Sequence, residues 1–150
     1  MRSRKRRWPW PWILGGLLIT ACVACHAEGK LVKRDSDDVV TWASSQGVVP
    51  GDTQALRLPD KLAHASVDGL VQVAALHDGR HCTLLKKKIG HKDNFEGVLA
   101  CSAAVESREI ASHGTPPREY LSFPGHAVFE ELYIRKRIDD RTFEVYFDLN

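Results

Sequence analysis

The first 27 residues constrain the fold of this chain most, because they have the pattern of a segment that is normally cleaved off and takes no part in the folded domain. Five basic residues and no acidic one lie in the first seven positions, and the apolar run 13–21 follows them. Small residues come next, and Glu28 is the first acidic residue. A positive stretch, a short apolar stretch and small residues are the three parts of a secretory signal. We therefore expect residues 1–27 to direct export and the remainder to fold in an oxidising compartment.

The end of the export segment permits more than one processing route. Residues 19–22, Ile-Thr-Ala-Cys, resemble a bacterial lipobox, in which the cysteine receives the lipid. The alternative is cleavage after Ala27, where Cys25 and Ala27 occupy the small-residue positions of a cleavage site. An uncleaved anchor is disfavoured, because the apolar stretch 12–25 is shorter than the ~20 residues that span a bilayer. We therefore expect a periplasmic or outer-membrane lipoprotein modified at Cys22, with a soluble periplasmic protein as the alternative.

The net charge changes sign once the export segment is set aside. The full sequence holds 21 basic and 19 acidic residues. Residues 1–27 contain five of the basic and none of the acidic ones, which leaves 16 against 19 and a net charge of −3. A net acidic protein has no basic excess to neutralise phosphates, so nucleic acid is not an expected partner. The remaining length suits a single domain, which we place at 35–150 behind a polar tether at 28–34.

Cys82 and Cys101 are the only cysteines after the export segment, and an exported chain favours their oxidation to a disulfide. They lie in segments with the composition of strands, 81–88 and 95–102, joined by a short polar connection. An antiparallel register that pairs the two cysteines also pairs apolar positions along the strands. The pairs that this register predicts are Cys82 with Cys101, Leu84 with Leu99 and Lys88 with Phe95.

A metal site is the alternative role for these cysteines. His77 and His81 precede Cys82 closely enough to join it as ligands. No Cys-x-x-Cys pair accompanies them, and the spacing of the other histidines matches no common ligand set. We therefore predict a structural disulfide, and neither a metal nor a cofactor.

Two further regions predict antiparallel strands. Residues 70–76 are apolar and partly β-branched, and Asp78-Gly79 predicts a two-residue hairpin turn, so a three-stranded meander with the disulfide hairpin is expected. Residues 128–138 and 142–149 predict a second hairpin with one apolar and one polar face. The predicted pairs are Ile138–Phe143, Ile134–Phe147 and Leu132–Leu149 on the apolar face, and Arg137–Glu144, Arg135–Tyr146 and Tyr133–Asp148 on the polar face.

Helical patterns are fewer. Acidic residues from Asp35 onward are typical of a helix start, and Gly47 would end this helix. Residues 59–65 and 103–112 predict two more short helices. The chain is therefore expected to form an α+β domain. Its core would be an antiparallel sheet of about five strands built from hairpins, with two or three short helices on one face.

Basic residues concentrate at the tip of the disulfide hairpin. The set is Lys86, Lys87, Lys88, His91 and Lys92. In a net acidic protein such a cluster makes the local electrostatic potential positive, which favours an acidic envelope protein or an anionic polymer as partner. The alternative is that the lysines only protect a strand edge from pairing with other chains. Arg135, Lys136 and Arg137 form a second basic run, which we interpret as a solvated, cross-paired face rather than an anion site.

No catalytic motif accompanies these features. The sequence lacks a Gly-x-Ser-x-Gly elbow, a phosphate-binding glycine-rich loop and a His-Glu-x-x-His motif. We therefore interpret the chain as an exported protein of a bacterial cell envelope that binds rather than catalyses, as an inhibitor or immunity-type module does. Two other classes stay open, an envelope hydrolase or polymer-modifying enzyme and a structural component of an envelope assembly.

Overall fold

The computed structural model describes residues 28, 30–91, 94–110 and 117–147. Contacts divide the chain into two units, Met1–Leu31 and Val32–Asn150, and the account below concerns the second. Among the described residues, no helix is both long and apolar enough to cross a membrane. In chain order the elements are α1 (residues 32–44, continuing helical backbone from residue 30), β1 (Thr53–Arg57), a 3-10 helix (Asp60–Ala65), β2 (Leu70–Ala75), β3 (His81–Ile89), β4 (Phe95–Cys101), β5 (Ser107–Ile110), β6 (Arg118–Leu121), α2 (Ala127–Glu130), β7 (Leu132–Arg137) and β8 (Thr142–Phe147).

The eight strands of the described residues form one antiparallel sheet, in the order β1-β2-β3-β4-β8-β7-β6-β5. The predicted α+β class with an antiparallel sheet is confirmed, but the expected count of about five strands is wrong. The missed strands are β1, β5 and β6. Every residue of β1 and β5 is exposed or half-buried, and β6 buries only Leu121. These strands therefore lack the apolar alternation that identifies a strand in a sequence.

The last strand of the chain lies in the middle of the sheet. β2, β3 and β4 form the predicted meander, and β8 pairs along the other side of β4. β7, β6 and β5 follow outward from β8. The two predicted hairpins are thus parts of one sheet that is continuous across β4 and β8.

The disulfide hairpin has the predicted register over most of its length. The cysteine pair and the leucine pair that the sequence predicts are both present. The third predicted pair is wrong. A β-bulge inserts Lys87 as an extra residue, so Lys88 lies opposite Glu96 instead of Phe95.

The C-terminal hairpin is present, but its strands are shorter and its register is shifted. A β-bulge at Arg135 displaces the ladder, which a prediction based on unbroken alternation misses. The observed pairs are Arg137–Phe143, Lys136–Glu144, Ile134–Val145, Tyr133–Tyr146 and Leu132–Phe147. The six predicted pairs are therefore wrong, although Leu132 and Ile134 still have apolar partners. Asp148 and Leu149 lie outside the described residues.

β2 and β3 are joined by a longer loop than the predicted two-residue turn. The N–H of Gly79 donates to the carbonyl of Leu76 at 3.0 Å, and the N–H of Leu76 donates to the carbonyl of Arg80 at 2.8 Å. Three residues therefore form the loop, and Gly79 closes it with a φ of 87°. Asp78 accepts a hydrogen bond from the backbone N–H of Arg80 at 3.0 Å, which fixes the loop further.

Buried residues form two clusters, one on each face of the sheet. α1 and the 3-10 helix cover one face over β2 and β3, and we call it the helix face. Its cluster contains Val39, Ala43, Val48, Leu58, Leu62, Ala65, Val71, Val73, Ala75 and Leu85. We call the opposite face the loop face. Its cluster includes Leu84, Leu99, Leu121, Phe123, Phe129, Leu132, Phe143, Val145 and Phe147.

The helices differ from the prediction in extent and in side. Residues 30–34 are already helical, so α1 begins before the expected start at Asp35. The 3-10 helix confirms the short helix expected at 59–65. α2 packs Phe129 into the loop-face cluster, so the expectation that the helices share one face is wrong. The helix expected at 103–112 is also wrong, because 107–110 pair with β6 as β5 and this pairing overrides local propensity.

Candidate binding surface

The predicted cysteine pair lies in the loop-face cluster. Cys82 and Cys101 form a disulfide between β3 and β4, and both side chains are buried. The metal alternative requires at least three ligands within reach of one ion. No such group of His, Cys, Asp or Glu exists within the part of the chain that the structure describes. The disulfide therefore fixes the base of the hairpin that carries the predicted basic residues.

The structure does not gather those basic residues into one cluster. Lys86 lies on the loop face, with its Nζ 3.4 Å from the carboxylate of Asp68 and 5.6 Å from the ring centroid of Phe95. Lys87 is half-buried on the helix face, while Lys88 and His91 are exposed. Lys92 lies outside the described residues. Of the predicted set, Lys87 alone joins the surface described next.

β3 has neighbours on both sides for most of its length. It pairs with β2 as far as Leu85 and with β4 as far as Ile89. Lys86, Lys87 and Lys88 all follow Leu85, where β2 has ended, so their alternative role in protecting a strand edge stays a prediction.

Three tyrosines lie side by side on the part of the sheet formed by β8, β7 and β6. Tyr146 lies opposite Tyr133, and Tyr133 lies opposite Tyr120. The ring centroids are 5.3 Å apart for Tyr133 and Tyr146 and 6.2 Å apart for Tyr120 and Tyr133. All three side chains are half-buried. We call this part of the helix face, together with the arginines over the rings and the adjoining groove described below that contains Lys87 and Lys136, the tyrosine face.

The tyrosine face is open because the helices pack elsewhere on the same side of the sheet. The buried residues of α1 and the 3-10 helix contact β2 and β3, and none of the tyrosines belongs to their cluster. The opposite side of β7 and β8 is buried, since Leu132, Phe143 and Val145 lie in the loop-face cluster. These strands therefore have one buried face and one that reaches solvent.

Two arginines lie over the tyrosine rings. The guanidinium of Arg118 is 4.6 Å from the ring centroid of Tyr133, and that of Arg135 is 5.9 Å from that of Tyr146. Contacts of this kind restrict the guanidinium while leaving its N–H groups available for planar anions. Arg135 also donates to Glu96 at 2.9 Å. The surface thus presents arginines that are already oriented.

The basic run of the C-terminal hairpin divides between the two faces. Arg135 and Lys136 lie on the tyrosine face, and Lys136 is 3.6 Å from the carboxylate of Glu144. Arg137 lies on the loop face, where its guanidinium is 2.6 Å from Glu119 and 4.9 Å from the ring centroid of Phe143. Each residue of the run thus pairs with a carboxylate of another strand, Arg135 with Glu96, Lys136 with Glu144 and Arg137 with Glu119, so the expected cross-pairing is confirmed. The expectation that the run lies on one face is wrong.

A groove of about 570 Å³ lies between the first residues of α1 and the strands β3, β4, β8 and β7. Its lining residues are Val32, Lys87, Glu96, Gly97, Val98, Arg135, Lys136, Glu144 and Val145. Three of them are basic and two are acidic. Glu96 pairs with Arg135 and Glu144 pairs with Lys136, so both acidic residues already have a basic partner.

Lys87 is the remaining basic residue of the groove. Among the described residues, no carboxylate lies within ion-pair distance of its ammonium group. Burial lowers the pKa of Lys87 below its ordinary value of 10.5, and attraction to Asp35 offsets only part of that effect. A half-buried charge without a near counter-ion is an unfavourable arrangement that a bound anion relieves.

An ion pair fixes α1 to the turn between β7 and β8. Lys33 of α1 pairs with Asp139 of the turn. Partial burial by itself raises the pKa of Asp139. The hydrogen bonds from Lys33, from the backbone N–H of Arg141 and from Thr142 outweigh it and lower the pKa from 3.8 to about 2. The start of α1 is thereby held next to the groove.

A histidine and a hydroxyl group meet at a different place in the molecule. Thr53 Oγ1 and His126 Nδ1 share a hydrogen bond of 2.8 Å, and the His126 ring also packs against Phe129. His126 is 3% exposed, so a substrate does not reach it in this conformation. Neither side chain donates a hydrogen bond to a carboxylate of the described residues. The pair ties the segment around α2 to β1 and lacks the third member of a nucleophile, base and orienting group.

Comparisons with known proteins leave the surface as the source of functional evidence. No family model, no curated protein and no solved structure matches the chain.

The sequence analysis missed the tyrosine face because Tyr120 lies in a strand that was not predicted. The alternation along β7 and β8 had placed Tyr133, Arg135 and Tyr146 on one face, but it did not predict that the tyrosines pair with each other and with Tyr120.

Proposed function

We propose that this protein is an exported, non-enzymatic binding module of a bacterial cell envelope, of the inhibitor or immunity type, and that the tyrosine face is its binding surface. The observation that carries the proposal is the row of three tyrosines with two arginines over the rings. Tyrosine and arginine are the residue types most enriched among the energetically important residues of interfaces.

The chemistry of the surface supports an acidic partner. Lys87, Arg118, Arg135 and Lys136 outnumber the carboxylates Glu96 and Glu144 on it, whereas the chain after residue 27 has a net charge of −3. A basic surface on a net acidic protein attracts acidic groups locally while the rest of the molecule repels them. This combination favours one docking orientation over the others.

Export and lipid attachment at Cys22 are part of the proposal and rest on the sequence pattern. Intact mass of the native protein from membrane and soluble envelope fractions tests them. A chain that begins at Cys22 with added acyl mass supports a lipoprotein. A chain that begins at Glu28, lighter than the reduced form by the two hydrogens of one disulfide, supports the soluble alternative.

Charge reversal on the tyrosine face tests the binding function. We expect the double variant Arg118→Glu and Arg135→Glu to lose at least about 90% of the partner captured from an envelope extract, because reversed charge repels an acidic surface. The matched control is Arg57→Glu with Lys61→Glu, two exposed basic residues of β1 and the 3-10 helix. Equal capture by both double variants would contradict the proposal. Both variants must first be shown to have the same thermal unfolding midpoint as the original protein.

A further inference from the structure

We propose that the groove beside Lys87 receives the carboxylate of an acidic side chain from a protein partner. The inference rests on the proposed function, since it names the chemistry that one part of the tyrosine face recognises. It follows from the size of the groove, the charges along its walls and the isolation of Lys87.

The charges of the groove are balanced except at Lys87. Glu96 and Glu144 each have a basic partner, at 2.9 and 3.6 Å respectively. Lys87 has none among the described residues, and its side chain is half-buried in the lining. One negative charge placed beside Lys87 gives every charged group of the lining a partner of opposite charge. A second would meet no free cation in this lining.

The dimensions of the groove fit a side chain that enters from a partner. Its volume of about 570 Å³ is many times the roughly 30 Å³ share of one water molecule. Val32 and Val98 supply apolar wall around the charged groups. An inserted acidic side chain therefore finds contact for its methylene groups as well as a cation for its carboxylate.

The walls favour a protein over an anionic polymer. Glu96 and Glu144 face the groove, and their carboxylates repel a strand that carries a negative charge on every unit. A protein segment places one acidic residue among neutral or basic ones and avoids that repulsion. The neighbouring tyrosines and arginines are also the residue types of protein interfaces.

A peptide titration followed by NMR tests the inference on the purified exported protein. The probes are a blocked peptide whose one charged residue is a central glutamate, the same peptide with glutamine in its place, and polygalacturonate. We expect the glutamate peptide to bind at least about fivefold more tightly than the glutamine peptide, since only the glutamate carboxylate forms an ion pair with the Lys87 ammonium. The pKa of the Lys87 ammonium should rise when the glutamate peptide binds.

Two variants locate the effect. In Lys87→Gln, the preference for the glutamate peptide should disappear, and folding should be retained because a half-buried charge is removed. Lys88→Gln is the matched control, since Lys88 is the next residue of β3 and is exposed. It should keep the preference and the pKa response of Lys87.

Four results would overturn the inference. The first three are equal binding of the two peptides, a preference that survives Lys87→Gln, and polygalacturonate binding that depends more strongly on Lys87 than peptide binding does. Absence of any binding of the glutamate peptide at about 10 mM also overturns it, because even a weak specific contact is detectable there. The proposed function fails separately, when charge reversal at Arg118 and Arg135 leaves envelope capture unchanged.

Discussion

The two halves of the sheet differ in how many of their faces are buried. In the half formed by β2, β3 and β4, residues of both faces lie in buried clusters. In the half formed by β8, β7 and β6, the loop face is buried, while Tyr120, Tyr133 and Tyr146 remain half-buried on the other face. In the first half most side chains contribute to stability, and those of Lys87, Glu96 and Val98 at its border line the groove. The second half uses one face for stability and leaves the other for contacts with a partner.

The difference arises from where the chain supplies covering elements. α1 and the 3-10 helix place Val39, Ala43 and Leu62 against β2 and β3. On that face the open half, formed by β8, β7 and β6, meets only the start of α1 among the described residues, where Val32 lines the groove and Lys33 pairs with Asp139. Its tyrosines instead contact one another and two arginines, which lets amphipathic rings remain partly exposed. A sheet that continues beyond its helices thereby has a surface available for binding.

The largest expected effect comes from the buried side of this comparison. Leu85→Ala removes a fully buried side chain of the helix-face cluster and should lower the free energy of unfolding by about 2–5 kcal/mol. Arg118→Ala on the open half should lower it by only about 0.5–1 kcal/mol, since it removes one cation–π contact. Urea denaturation measures both values. Equal losses would show that the two halves contribute alike to stability.

The disulfide belongs to the half with two buried faces and should matter next most. Cys82 and Cys101 are 19 residues apart, and replacing both by alanine should lower the free energy of unfolding by about 3 kcal/mol. The original protein should lose a similar amount in reductant, whereas the double variant should not respond to it. A reductant effect that persists in the variant would assign the stabilisation to another cause.

Gly97 lies on β4, where the two halves meet, and tests how closely the strands are packed there. A Cβ atom at this position would lie 2.6 Å from the carbonyl oxygen of Leu85, so backbone must move to admit it. Gly97→Ala should lower the free energy of unfolding by about 1–3 kcal/mol. Gly90→Ala is a milder comparison, because a Cβ atom at that position would lie 3.2 Å from the carbonyl oxygen of Asn94. Thermal unfolding of the two variants distinguishes them.

The ion pair between Lys33 and Asp139 should give a small effect, close to that of Arg118→Ala. Folding lowers the pKa of Asp139 to about 2, so its ionised form stabilises the fold well above pH 3.8 and this contribution is lost as the pH falls through about 2. Asp139→Asn should cost about 1 kcal/mol at pH 6, because the Lys33 and Asp139 side chains are 39% and 24% exposed and solvent screens the pair.

The control for this last effect is its dependence on pH. The difference in unfolding free energy between the original protein and Asp139→Asn should be constant near neutral pH and should shrink as the pH falls from 4 to 2. A difference that does not change over this interval would mean that the ionised carboxylate is not its source.

The sequence predicted the half of the sheet whose strands bury both faces better than the open half. Strong apolar composition identified β2, β3 and β4, and the cysteine pair fixed the register until the bulge at Lys87. β5 and β6 contain mostly polar residues, because one of their faces meets solvent, and composition alone does not identify such strands.

The candidate surface depended on register more than on composition. The polar face of the C-terminal hairpin was predicted to contain Tyr133, Arg135 and Tyr146, which is correct. The bulge at Arg135 changed which of them are neighbours, so that the tyrosines pair with each other. Bulges are set by contacts between strands, and local sequence does not specify them. Lys87 was part of the predicted basic set, but its position in a groove required the packing of α1.

Photo-crosslinking in cells tests most directly whether a partner binds at the tyrosine face. The photoreactive residue p-benzoylphenylalanine replaces Tyr120 on the tyrosine face in one variant and Val128, a 40% exposed residue of α2, in the other. The account predicts a covalent adduct of defined mass from the Tyr120 position and none from the Val128 position. Adducts from Val128 alone, or equally from both positions, would contradict the assignment of the tyrosine face as the binding surface.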